Sequence, residues 1–191
     1  MPASCNRVRS PPQSPVRPLG GGDAWLSTDT LFVRDTDGDH WLVDAVATLL
    51  RRKGVAVPTM PIVRALADLD AVDLSITYGV EAGSDTDADT VVVAALSVRP
   101  GHQLTVEEVG RALSAVPDDQ QPDVVRIVPE IPLSDWHRPI AGRLPEDGLG
   151  RSTKAHPVWY REESTGRYRT LTAAARASLL DPSAGRRRPP A

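Results

Sequence analysis

At 191 residues, with 22 basic and 25 acidic side chains and a formal net charge of −3, the chain allows one domain of roughly 100–150 residues plus flexible ends. No basic run longer than Arg186-Arg187-Arg188 occurs, which excludes a clustered nucleic-acid footprint, and the single cysteine, Cys5, excludes a disulfide framework within one chain. No apolar run reaches the ~18 residues of a membrane-spanning helix, so a soluble protein of a reducing cytoplasm is expected, with peripheral membrane association left open.

Residues 1–21 are proline-rich, lack hydrophobic periodicity and the apolar centre of a secretory signal, and are expected to be disordered. Trp25 to Val33 and His40 to Val43 flank Asp35-Thr36-Asp37-Gly38-Asp39, the sequence form of a β-hairpin. Leu49 to Lys53 reads as a strand that ends where Gly54 turns the chain. Ile62, Val63, Leu66 and Leu69 recur at helical spacing, with Pro58 and Pro61 suited to the helix entrance.

Val72 to Tyr78 alternates and Val91 to Val98 is apolar and largely β-branched. Two strands are therefore expected, joined by a mobile polar loop from Glu81 to Asp89. Thr105-Val106-Glu107-Glu108 is a capping box that opens a helix to about Val116. Val124 to Val128 reads as a strand, Pro129 to Arg138 as turn-rich, Trp159-Tyr160 with Tyr168-Arg169-Thr170 as a small hairpin, and Thr172 to Leu180 as a last helix. Residues 181–191 read as a disordered tail. The fold class is α+β, a small mixed sheet flanked by helices, without internal repeats.

Asp35, Asp37 and Asp39 resemble the start of a calcium loop, yet Val46 stands where an EF-hand needs its bidentate glutamate, so the turn reading prevails. His40, His102, His137 and His156 lack metal-ligand spacing. No phosphate-cradling G-x-x-x-x-G-K-[ST] or G-x-G-x-x-G and no G-x-S-x-G nucleophile motif occurs, so self-contained catalysis is not expected. Trp41, Trp136 and Trp159 read as core or interface anchors.

Several spaced motifs together resemble one family. Gly22 to Val57 is similar to the junction between the large and small domains of adenylate-forming enzymes, closest to fatty-acid-CoA ligases of the very-long-chain, fatty-acid-transport branch. Ile76-Thr77-Tyr78-Gly79-Val80 resembles that branch's N-V-Y-G-V strand, Val98-Arg99-Pro100-Gly101 its L-R-P-G turn, and Val116-Pro117 through Pro122 its L-P-x-Y-x-R-P segment. Trp159 to Leu171 resembles its closing Y-F-R-D…Y-x-P-L stretch.

The resemblance implies a remnant hairpin of the large AMP-binding domain over 22–46 and a C-terminal lid domain over 47–180. In the intact family enzyme, ATP with Mg activates a fatty acid as an acyl-adenylate. The lid then rotates and CoA takes the acyl group. Carried onto this chain, the aspartate that holds the ribose falls on Thr30, with Asp29 one place early. The following Asp-Arg pair falls on Asp44-Ala45 and the hinge on Ala47. Of the G-E-N turn only Gly54 remains. The lid lysine falls on Arg138, registered by Gly148 downstream; the bland alternative is a solvated loop arginine.

Guanidinium does not replace ammonium neutrally, so weakened adenylation is expected. The leading expectation is a C-terminal fragment of a fatty-acid-CoA ligase, inactive alone and binding no ATP, Mg or CoA by itself. The alternative is a noncatalytic module that docks on a separate large AMP-binding domain through Leu26, Leu31 and Phe32.

Overall fold

A computed structural model describes residues 29–83 and 89–181. The expected leader and tail, the first strand's beginning at Trp25 and Leu26, and residues 84–88 of the expected loop lie outside the described residues. Two compact units divide between Ala47 and Thr48.

In the first unit, β1 (Thr30–Arg34) pairs antiparallel with β2 (His40–Ala45). The Asp35 carboxylate organises the turn between them: Oδ1 accepts the N–H groups of Asp37 (3.0 Å) and Asp39 (2.9 Å), and Oδ2 accepts the Trp41 indole N–H at 2.7 Å. The Trp41 bond, helped by the backbone donors, holds the Asp35 carboxyl below its ordinary value. Cross-strand partners share a face, so Phe32 with Leu42 and Val33 with Trp41 lie on opposite faces. All four are exposed.

The second unit begins within a 3-10 turn, Val46–Thr48. β3 (Leu50–Arg52) and β4 (Val55–Val57) form a hairpin whose turn residues Lys53 and Gly54 both have positive φ, 50° and 78°, as a type I′ turn requires. α1 (Met60–Ala67) has a proline in its first turn and buries Ile62 and Leu66. β5 (Val72–Ala82), β6 (Asp89–Val98), α2 (Val106–Leu113), β7 (Val124–Ile127), β8 (Val158–Arg161), β9 (Tyr168–Thr170) and α3 (Ala173–Leu180) follow.

The sheet order is β5-β6-β7-β8-β9, antiparallel except for the β6–β7 pair. A parallel neighbour needs a crossover, and α2 supplies it. Alternation along β6 sorts the core into two layers. Val92, Ala94 and Leu96 meet α1 and α2, whereas Val91, Val93 and Ala95 meet Ile131, Leu144 and Leu149 of the β7–β8 connection.

Three local expectations change. β4 adds a strand after Gly54, where the sequence reading has a turn and no partner strand. Glu81 pairs with Thr90 and Ala82 with Asp89, so the two long strands extend into the expected loop, because backbone pairing continues past polar side chains. α2 stops at Leu113 rather than near Val116. The N–H groups of Ser114, Ala115 and Val116 reach carbonyls three residues back, and Pro117 ends the run.

The capping box is formed as read. Thr105 Oγ1 accepts the Glu108 N–H at 3.3 Å, and Glu108 Oε2 accepts the Thr105 N–H at 2.8 Å. Thr105→Ala is expected to lower the unfolding free energy by about 1 kcal/mol, read from the urea midpoint at unchanged slope.

Candidate functional site

The residues singled out from sequence fall in three places. Asp29, Thr30 and Asp44 come together at the open end of the β1–β2 hairpin: Thr30 pairs with Ala45, and the Asp29 carbonyl accepts the Val46 N–H at 2.8 Å. Asp29 takes a positive φ of 50°, which aspartate tolerates better than most residues. Asp44 is buried, and its Oδ1 accepts the Ala45 N–H at 2.8 Å. Gly54 and Arg138 belong to the second unit.

Arg138 closes a tight tip in the β7–β8 connection. Leu133 bridges to Pro139, the Ser134 N–H reaches the Arg138 carbonyl at 2.9 Å, and the Arg138 N–H reaches Ser134 Oγ at 3.2 Å. His137 turns the chain with φ 56°. The tip presents Trp136, 86% exposed, beside an exposed Arg138. A cation on a bridged tip can meet a phosphate from outside the unit, because the backbone bonds fix the loop while leaving the guanidinium donors to a ligand.

The neighbours of Gly54, Lys53 and Val55, though not Gly54 itself, border a cleft of about 600 Å³, together with Arg52, Asp89, Asp118, Asp123 and Arg161. Arg52 Nη1 donates to the Gln121 carbonyl at 2.7 Å and to Asp123 Oδ1 at 2.9 Å, and Nη2 donates to the Asp119 carbonyl. Asp123 Oδ2 accepts the Val92 N–H at 2.8 Å, and Asp89 Oδ1 accepts the Lys53 N–H at 2.5 Å. Arg161 pairs with Asp118 at 3.0 Å and donates to Gln121 Oε1 at 3.1 Å.

Burial pushes the Asp123 carboxyl above its ordinary value, although Arg52 pulls the other way. Burial likewise raises the Tyr168 phenol, whose O–H donates to the Pro122 carbonyl at 2.8 Å. These groups are matched with one another and pin the Lys53–Gly54 turn to the starts of β6 and β7. Sequence reasoning gave none of Arg52, Asp123 and Arg161 a role, although Arg161 lies in the stretch matched to Y-F-R-D and Asp123 follows the segment that ends at Pro122.

Among the described residues no group of three or more His, Cys, Asp or Glu side chains is arranged to hold a metal, and no helix is long and apolar enough to cross a membrane.

No protein-family model matches the chain. Human long-chain fatty acid transport protein 3 is 27% identical over 161 residues, covering 83% of this chain and 23% of that protein. The chain thus spans about a quarter of the length of the curated relatives it matches. Coronafacic acid ligase from Pectobacterium brasiliense superposes with a TM-score of 0.54 at 18% identity, over 64% of this chain and 23% of that one. ATP-bound MatB from Rhodopseudomonas palustris superposes at 0.53 and 20% identity, over 66% and 25%. At these identities the structural matches establish the fold alone: the mixed α+β arrangement is shared with these proteins over about two thirds of the chain.

Proposed function

We propose that the chain is a divergent form of the C-terminal domain of the fatty-acid-CoA ligases, a reading supported by its similarity to long-chain fatty acid transport protein 3 and by its fold, and that it serves as the lid over a large ATP-binding domain that activates a fatty acid. In this reading the acid and ATP form an acyl-adenylate with release of pyrophosphate, and CoA then takes the acyl group. The chain's own contribution is the positive charge of Arg138, set against charge that develops on the phosphate. What supports the reading is that Arg138, which the resemblance sets at the family's lysine position, stands on an exposed and internally bonded tip.

The remaining positions fit their family roles poorly. Thr30 offers a neutral hydroxyl where the ribose-holding aspartate would stand, and the Asp44 carboxylate is buried on the Ala45 N–H. Magnesium, which the family reading implies, finds no donor set among the described residues. Nucleotide, metal and acid therefore fall to the large domain in this proposal, and the chain alone is inactive.

Two assays of AMP release test it. The purified chain with ATP, CoA and a fatty acid is expected to give only background, and substrate-dependent AMP release by the chain alone overturns the inactivity. Added to a fatty-acid-CoA ligase truncated before its own lid, the chain is expected to raise AMP release. Arg138→Ala should then lower that gain about tenfold, below the usual loss for a preorganised donor because arginine is already a poor substitute. Arg138→Lys should increase it. An Arg138→Ala protein as active as the parent would remove Arg138 from the reaction.

A second reading, a noncatalytic docking module, is favoured by the apolar exposure on both faces of the β1–β2 hairpin. It predicts binding to the truncated ligase that weakens on Phe32→Ser or Trp41→Ser, with no gain in AMP release. A cytoplasmic location with peripheral contact to a lipid surface fits either reading, and co-flotation with vesicles checks that contact.

A further inference from the structure

Between β7 and β8 the chain leaves the sheet, forms the Arg138 tip, and returns over the face opposite α1 and α2. Ile131, Leu144 and Leu149 are buried there against Tyr78, Val93, Val124 and Val158. The returning end is held by polar atoms as well. The Gly148 carbonyl accepts the Tyr78 O–H at 3.2 Å and Arg126 Nη1 at 3.2 Å, and Arg126 Nη1 also donates to Tyr78 Oη at 3.0 Å. Arg176 Nη2 donates to the Gly150 carbonyl. Gly150 lies flat on the guanidinium, since a Cβ there would stand 2.8 Å from Arg126 Cζ.

Arg126 is only 8% exposed, and its ion-pair partner among the described residues, Asp147, is 3.8 Å away and mostly in water. A buried guanidinium with so distant a counter-charge is a poor way to stabilise a core, where an apolar side chain of similar volume commonly does as well or better. Its donors go instead to the Gly148 carbonyl of that turn and to Tyr78 of β5, which itself donates to the same carbonyl. Register makes this reach available: Ile76, Ala95 and Arg126 stand in one row across β5, β6 and β7, and the small Ala95 leaves room for the side chain to extend toward β5.

We propose that Arg126, with Tyr78, is a positioning residue for Arg138, latching the turn of residues 147–150 to the sheet and so fixing the base of the loop whose tip carries the cation. The inference rests on the reading of Arg138 given above, but its physical half stands apart from any activity.

Hydrogen exchange on the full chain, followed by mass spectrometry, tests that half. Arg126→Met keeps bulk and removes the donors; Tyr78→Phe removes one hydroxyl and serves if the first variant does not fold. Amides in residues 134–150 are expected to exchange about tenfold faster, with α1, α2 and β6 unchanged, as a local opening does. Unchanged exchange over 134–150, or the same acceleration throughout the unit, overturns the latch. In the reconstituted reaction the loss caused by Arg126→Met should vanish when Arg138 is already alanine. A loss that persists there reduces Arg126 to a structural role. Failure of Arg138 to matter for AMP release leaves the exchange result untouched, so the two readings fail separately.

Discussion

Asp123→Ala is expected to lower the unfolding free energy of the second unit by about 3 kcal/mol. One carboxylate holds two elements together. Its Oδ1 meets Arg52 of the β3–β4 hairpin at 2.9 Å and its Oδ2 takes the Val92 N–H of β6 at 2.8 Å. Removing it leaves the Arg52 guanidinium, mostly buried, with carbonyls alone, and orphans a backbone donor inside the sheet. Chemical denaturation with hydrogen exchange at β6 reads the change. A loss below about 1 kcal/mol would mean that water screens the pair as it does exposed ones.

The same residue gives a pH signature of definite sign. Burial raises the Asp123 carboxyl above the 3.8 it would have unfolded, and attraction from Arg52 only partly offsets this. The folded state then holds the proton more tightly than the unfolded state. Its contribution is fully present below the unfolded value and is lost as pH rises through the raised folded value. Wild type should lose stability relative to Asp123→Asn across that acidic window and run parallel above it. The opposite slope would show that the ion pair outweighs desolvation. Asp35 and Glu108, both lowered by hydrogen bonds, contribute in the reverse sense, above their unfolded values.

Why some of this was legible in the chain and some was not follows from the range of the interactions. The start of α2 is written in adjacent residues, because Thr105 and Glu108 close the cap between themselves, and the β6 run announces a strand buried on both faces. β4 spans only Val55–Val57, too short to show a period, and the turn before it needs a left-handed Lys53, which no rule of composition favours. Arg52 and Asp123 lie 71 positions apart, so their pairing is a property of the fold. Arg138 could be placed only by counting back from Gly148, and Gly148 is the residue whose carbonyl Tyr78 and Arg126 hold. The marker was local, whereas its support comes from two other strands.

Gly79→Val is expected to lower the unfolding free energy by about 3 kcal/mol and Gly79→Ala by about 2, the overpacking range for a filled interior. Gly79 pairs with Val92 on the face covered by Leu50 of the β3–β4 hairpin. An added Cβ would overlap Thr90 Cγ2 and stand 3.2 Å from Leu50 Cδ2. Thr90 is β-branched and lies within β6, so neither its rotamer nor its backbone can yield cheaply. The usual gain from stiffening the unfolded chain at a glycine, about 0.4–1 kcal/mol, is too small to cancel that clash. Thr90→Ser deletes the offending methyl and should restore more than half of the Gly79→Ala loss, a coupling that a double-mutant cycle in urea measures directly. If the two substitutions instead add, the strain does not lie at Thr90, and the close approach of the β3–β4 hairpin through Leu50 becomes the contact that demands glycine.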